Sequence, residues 1–69
     1  MFNLYFIFNG HKRTLLGCFY NIHDAVDEVK EHVYANSAIT HPRYSKSMSG
    51  DCIRIDYGAK DCYYTIEKK

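Results

Sequence analysis

The stretch Asn21-Ile22-His23-Asp24-Ala25-Val26-Asp27-Glu28-Val29-Lys30-Glu31-His32-Val33-Tyr34-Ala35 decides how the rest of the chain must fold. It is the segment with a clean helical period. At about 100° of turn per residue, Ile22, Ala25, Val26, Val29 and Val33 fall on one face. On the opposite side Asp24, Asp27, Glu28 and Glu31 form a single acidic stripe. Asn21 is the expected N-cap, with Asp24 three residues on in a capping-box-like position. The helix is expected to fade around Ala35 to Ser37, with Asn36 supplying a left-handed C-terminal residue.

An amphipathic helix needs an apolar surface to lie on, and the segments on either side read as strands. Phe2 to Phe8 is rich in aromatic and β-favouring residues and runs into Asn9-Gly10, a strong hairpin signal. With Gly10 to Arg13 as the loop, Thr14 to Tyr20 returns with Asn9 facing Thr14 and Asn3 facing Tyr20. That register puts Leu4, Phe6, Phe8, Leu15, Gly17 and Phe19 on one face. Tyr5, Ile7, Leu16, Cys18 and Tyr20 share the other, so both faces are apolar. After the helix, Asn36 to Gly50 contains Pro42, four Ser and no acid, and reads as a long connection of the kind that is often functional or mobile. Cys52 to Tyr57 alternates, with Ile53, Ile55 and Tyr57 inward and Cys52, Arg54 and Asp56 outward. Gly58 to Asp61 turns the chain, and Cys62 to Glu67 returns with Cys62, Tyr64 and Ile66 inward and Tyr63, Thr65 and Glu67 outward. Lys68 and Lys69 form a polar end. The expected fold is a single α+β domain over residues 1–69. It is an antiparallel β-β-α-β-β arrangement whose four-stranded sheet carries the helix on one face, with strand order left open.

Composition narrows the function classes. At 69 residues the chain is near the lower limit for a domain that folds alone. A core of that size supplies about 3–5 kcal/mol of net stability. Hydrophobic residues make up 46% and aromatic residues 16%, with seven Tyr and four Phe, which argues against disorder. A net charge of +1 is low for a protein that lives on the phosphate backbone. Cys18, Cys52 and Cys62 are an odd set without CxxC spacing, as expected for reduced thiols in a cytoplasm rather than a secreted disulfide framework. The N-terminal apolar run is broken by Asn3 and Asn9 and has no basic flank. It reads as a strand and not as a signal peptide or membrane span.

Three groups of residues stand out as candidate sites. In the acidic stripe, Asp24–Asp27, Asp24–Glu28, Asp27–Glu31 and Glu28–Glu31 are like-charge pairs at i,i+3 or i,i+4 spacing. Each such pair costs about 0.2–0.5 kcal/mol in an isolated helix. Acids near a helix N-terminus also complement its dipole and aid solubility, but a stripe is equally a surface for docking on a basic partner. The second group is the outer sheet face with Tyr5, Ile7, Leu16, Tyr20 and Tyr63. One helix covers one face, so the other meets water, a partner or a ligand; a two-fold homodimer is the simplest answer. Third come the basic loops. Lys12 and Arg13 with His11, and Arg43, Tyr44 and Lys46 with His41, read most simply as solvated loop charge, but offer a site for a phosphate, an acidic peptide, or a nucleotide or nucleic acid if the two loops converge. The four His and three Cys lack the paired short spacing of a zinc site, and no cysteine has a base fixed beside it. No catalytic residue, metal or cofactor is expected.

Ile55-Asp56-Tyr57-Gly58 followed by Tyr63-Tyr64-Thr65-Ile66 resembles the closing hairpin of short phage and prophage proteins of unknown function. Gly17-Cys18-Phe19-Tyr20-Asn21 leading into Asp24-Ala25-Val26 is similar to their strand-to-helix junction. Some proteins of that type are counter-defence factors: anti-CRISPR proteins and inhibitors of other bacterial immune systems. They typically bind stoichiometrically, often as dimers, sometimes with acidic surfaces that block nucleic-acid grooves. The resemblance implies a non-enzymatic phage or mobile-element protein that binds and inhibits a host defence protein in the bacterial cytoplasm, without a membrane. It transfers no site residues.

Overall fold

The computed structural model describes residues 1–37 and 40–68. Ala38 and Ile39 of the long connection and Lys69 of the polar end lie outside the described residues. The elements are β1 (Phe2–Phe8), β2 (Lys12–Phe19), α1 (Ile22–Asn36), β3 (Ser45–Ser49), β4 (Cys52–Asp56) and β5 (Tyr63–Lys68). The strands form one antiparallel sheet in the order β2-β1-β5-β4-β3. The architecture is α+β, as expected, but the sheet has five strands and not four.

The added strand is β3, which comes from the end of the long connection. Its sequence, Ser-Lys-Ser-Met-Ser, has no β-branched or aromatic residue, so propensity gives it no signal. Tertiary pairing makes it a strand instead. Gly50, at φ +59°, opens a two-residue turn with Asp51, and Ser49 faces Cys52 across it. Glycine at the first central position is what a type II′ hairpin turn requires.

The first hairpin differs from its expected register. Phe8 pairs with Lys12 across Asn9-Gly10-His11, and Asn9 and Gly10 both take positive φ, +53° and +75°. The register then shifts within the hairpin. Leu4 faces Gly17 while Tyr5 faces Leu15, which leaves Leu16 as the extra residue of a β-bulge. Side chains on either side of a bulge lose strict alternation. Leu16 therefore packs against the core, and Leu15, which strict alternation points inward, is 52% exposed on the outer side. The expected faces of Leu15 and Leu16 are exchanged.

The core sits between the sheet and α1. Leu4, Ile53, Ile55, Tyr57, Tyr64 and Ile66 from the sheet meet Ala25, Val29 and Val33 from the helix. Leu4 and Ile66 face each other in register and are both fully buried; a buried aliphatic side chain of this size contributes about 1.5–3 kcal/mol. The inward sets on β4 and β5 match the alternation read from sequence. Asn21 is the N-cap, its Oδ1 accepting from the Asp24 amide at 2.8 Å and its Nδ2 donating to Asp24 Oδ2 at 3.2 Å. The C-terminal cap is different from expectation. Asn36 stays inside the helix, its Nδ2 donating to the His32 carbonyl, and Ser37 leaves it in extended backbone at φ −109°. The side-chain amide bond gives Asn36 a partner within the helix, so no left-handed residue ends it.

Candidate functional site

Because Ala25, Val29 and Val33 are drawn into the core, the 3.6-residue repeat turns Asp24, Asp27 and Glu31 to solvent and leaves Glu28 half-buried. The carboxylates lie over about two turns of one helix face. Their surroundings differ from those of the acids on the sheet. Glu67 receives Arg13 at 3.3 Å, and Asp56 receives both Nε and Nη2 of Arg54 at 3.0–3.3 Å. Among the described residues no Lys or Arg pairs with Asp24, Asp27, Glu28 or Glu31. Their one ionic neighbour is His23, whose Nδ1 lies 3.5 Å from Asp27 Oδ2 with both side chains exposed. Lys30, in the same helix, turns away to lie 5.9 Å above the ring of Tyr44. His23, Asp24 and Asp27 offer ligand atoms within 4.8 Å of one another, and all three are exposed with no buried group orienting them.

The outer sheet face has a different build from the apolar patch expected there. Tyr5, Ile7 and Tyr63 do come together on the adjacent strands β1 and β5. Leu16 has turned to the core side at the bulge, and Tyr20 lies past the end of β2, almost fully exposed. The Arg13 guanidinium lies 3.7 Å from the centroid of the Tyr5 ring, and Arg54 lies 3.8 Å from that of Tyr63. Stacked cations of this kind contribute about 0.5–1 kcal/mol at exposed sites and shelter apolar rings from water. Their ion pairs to Glu67 and Asp56 complete a charge-balanced layer. The hydrogen bond to Asp56, followed by its charge, raises the Arg54 pKa. In the middle row Leu15, Tyr5, Thr65, Arg54 and Ser47 follow each other across all five strands. Thr65 is only 8% exposed there, and its Oγ1 has no hydrogen-bond partner.

The basic loops do not converge. Lys12 and Arg13 belong to β2 at one edge of the sheet, whereas Lys46 belongs to β3 at the other and Arg43 and Tyr44 precede it. Four strand spacings of about 4.8 Å separate the two edges, roughly 19 Å. Arg43 is tied down by its backbone, which donates to the Tyr57 carbonyl at 3.2 Å.

Below the helix, Phe6, His32, Tyr57 and Tyr64 form an aromatic cluster with ring centroids 5.0–5.5 Å apart. His32 Nδ1 hydrogen-bonds the Tyr64 hydroxyl, as a satisfied histidine at the core edge does. Burial pushes the Tyr64 phenol well above its ordinary value, with Tyr57, Tyr44 and Cys62 adding to it. Burial and then Cys62 raise that of Tyr57. Both phenols are thus held as neutral structural groups. Cys18, Cys52 and Cys62 are free thiols, and Cys18 Sγ donates to Asn3 Oδ1 at 2.9 Å.

The arginine–tyrosine stacking was not legible from spacing along the chain, because Arg13 reaches Tyr5 and Arg54 reaches Tyr63 across strands. The Arg54–Asp56 pair had a signal: residues two apart on a strand share a face. Among the described residues no helix is long and apolar enough to cross a membrane. Comparison with protein-family models, with curated proteins and with solved structures finds no match to this chain.

Proposed function

We propose that this chain is a non-enzymatic binding protein that docks the acidic face of α1 on a basic surface of a partner protein. One observation carries the reading: Asp24, Asp27, Glu28 and Glu31 stand together without a Lys or Arg among the described residues, while Glu67 and Asp56 on the sheet are each paired with arginine. Dipole complementation accounts for Asp24 in the first turn, but it falls off within a turn and does not account for Glu31. A like-charge stripe that costs the helix stability, and lies outside the core, fits a role in recognition. Charge complementarity of this kind acts mainly on association rate and specificity.

At finer grain, the partner we propose is a bacterial defence protein and the chain a phage or mobile-element inhibitor of it, acting in the host cytoplasm. This rests on the resemblance of the two hairpin and cap segments. Homodimerisation is proposed through the outer sheet face, now built on Tyr5, Tyr63 and the exposed Leu15, since Ile7 is already buried within the chain. That face carries Arg13 and Arg54 against Glu67 and Asp56, so two copies could meet there without net charge repulsion. A second reading, single-stranded nucleic acid on the same face, is favoured by the flat guanidiniums on Tyr5 and Tyr63, which offer planes for base stacking.

The test of the main reading is charge reversal of Asp27, Glu28 and Glu31 to Lys, which leaves the Asn21–Asp24 cap in place. Partner binding is expected to be lost with the far-ultraviolet dichroism unchanged. Retained binding would remove the stripe from the account. The nucleic-acid reading predicts instead binding that survives charge reversal and falls steeply with salt.

A further inference from the structure

The helix approaches β1, β2 and β5, and among the described residues it makes no comparable backbone approach to β3 or β4. Helix side chains still cover Ile53 and Ile55 of β4, so β3 is the strand left outside the roof. Along the cleft between α1 and β3 run two depressions. One of about 230 Å³ lies between Ile22, Met48 and Ile53, and one of about 180 Å³ lies between Val26, Val29, Ile55 and Lys46. Beside them β3 is the last strand of the sheet, with every residue exposed and its outer edge unpaired among the described residues. Among the described residues it has no proline, bulge or covering segment, and Lys46 is its one charged guard.

The side chains of β3 sort into two rows. Ser45, Ser47 and Ser49 share the outer face with Arg54 and Cys52, which oppose Ser47 and Ser49. Lys46 and Met48, which oppose Ile55 and Ile53, face the helix side, where Met48 is 68% exposed. The charge around the cleft is one-sided. Lys30, Lys46 and Lys68 line the depressions, against Asp51 alone at the turn.

We propose that β3 accepts an extended segment of a partner protein as a sixth, antiparallel strand, and that the segment is acidic. Cross-strand pairing sets its pattern. A carboxylate stands opposite Lys46, within reach of Lys30. An apolar side chain stands opposite Met48 and fills the depression beside Ile22 and Ile53. Small hydroxyl residues oppose the serines. Main-chain hydrogen bonds supply affinity and the two helix-side positions supply specificity, the usual division in strand addition. A second copy of the chain is the poorer occupant. Two antiparallel β3 strands paired about Ser47 would set each Lys46 opposite the other copy's Met48 and diagonal to its Lys46, with no carboxylate to meet either lysine.

The test uses an isotope-labelled protein and an end-capped peptide that alternates threonine with valine and glutamate, alongside its lysine-for-glutamate counterpart. Addition of the acidic peptide is expected to shift the amides of Ser45 to Ser49 and slow their hydrogen exchange. The lysine peptide should bind about tenfold more weakly or not at all. Lys46→Glu, at an exposed position where folding is not at stake, should reverse the preference. The Glu28→Lys/Glu31→Lys double variant should bind the acidic peptide as well as the unmodified chain does, which separates this site from the acidic face of α1. Equal binding of both peptides, shifts spread away from β3, or a doubled mass with β3 already protected before any peptide is added would overturn the proposal.

Discussion

Glu28 and Glu31 are the two members of the acidic stripe that the helix N-terminus does least to favour, so replacing both with Gln isolates the cost of the stripe. The double change removes three repulsive pairs: Asp24–Glu28, Asp27–Glu31 and Glu28–Glu31. At about 0.2–0.5 kcal/mol each, the helix regains about 0.6–1.5 kcal/mol. Gln and Glu have nearly equal helix propensity, and Gln keeps the same aliphatic stem, so little else changes. For a domain of this size about 1 kcal/mol moves Tm by about 4–8 °C, so thermal unfolding at low salt should shift upward by about 2–12 °C. Glu31 is exposed and Glu28 half-buried, and at about 1 M salt the Debye length falls to about 3 Å. The gain should then shrink towards zero. An unchanged or lower Tm at low salt, or a gain of the same size in high salt, would refute the electrostatic reasoning. The same double variant should bind the partner more weakly, so that stability and binding move in opposite directions.

The bulge makes a paired prediction: Leu16→Ala should cost about 1–3 kcal/mol in denaturant unfolding and Leu15→Ala within about 0.5 kcal/mol; the reverse order would restore strict alternation. Thr65→Val removes a buried hydroxyl without a partner and keeps the shape, so stability should hold or rise by about 1 kcal/mol; a clear loss would mean Oγ1 is satisfied. Tyr64 and Tyr57 have folded pKa values raised by burial, which favours their neutral forms. Stability from them is complete below the unfolded value of about 10 and is lost as pH rises towards the folded values. Tyr64→Phe should flatten that alkaline loss, at the cost of the His32 bond; an alkaline transition identical in the variant would exclude Tyr64 as its source.

Much of this architecture was legible because side chains and backbone agree locally. The period of Ile22 to Val33 fixed which helix face is buried, Asn21 and Asp24 fixed where the helix starts, and strict alternation on β4 and β5 sorted Ile53, Ile55, Tyr57, Tyr64 and Ile66 inward. The parts that were missed depend on partners distant in sequence. Ser45–Ser49 becomes a strand through its pairing with β4 and its turn at Gly50. Leu16 changes sides because of one extra residue, which local pattern cannot reveal when Leu15 and Leu16 are alike. The altered register also placed Arg13 on Tyr5, whereas Arg54 meets Tyr63 across β4 and β5 independently of it. For the acidic stripe, the helical period alone was enough to bring Asp24, Asp27, Glu28 and Glu31 together. That no lysine or arginine among the described residues meets them required the fold, because Lys30 is close in sequence yet turned towards Tyr44.

The most direct measurement is quantitative capture from nuclease-treated bacterial lysate, with the unmodified chain and the Asp27→Lys/Glu28→Lys/Glu31→Lys variant as parallel baits. The account predicts one protein retained in near-equal molar amount by the unmodified chain and missing from the variant. The same protein held equally by both baits, or complete loss of retained material on nuclease treatment, would contradict it.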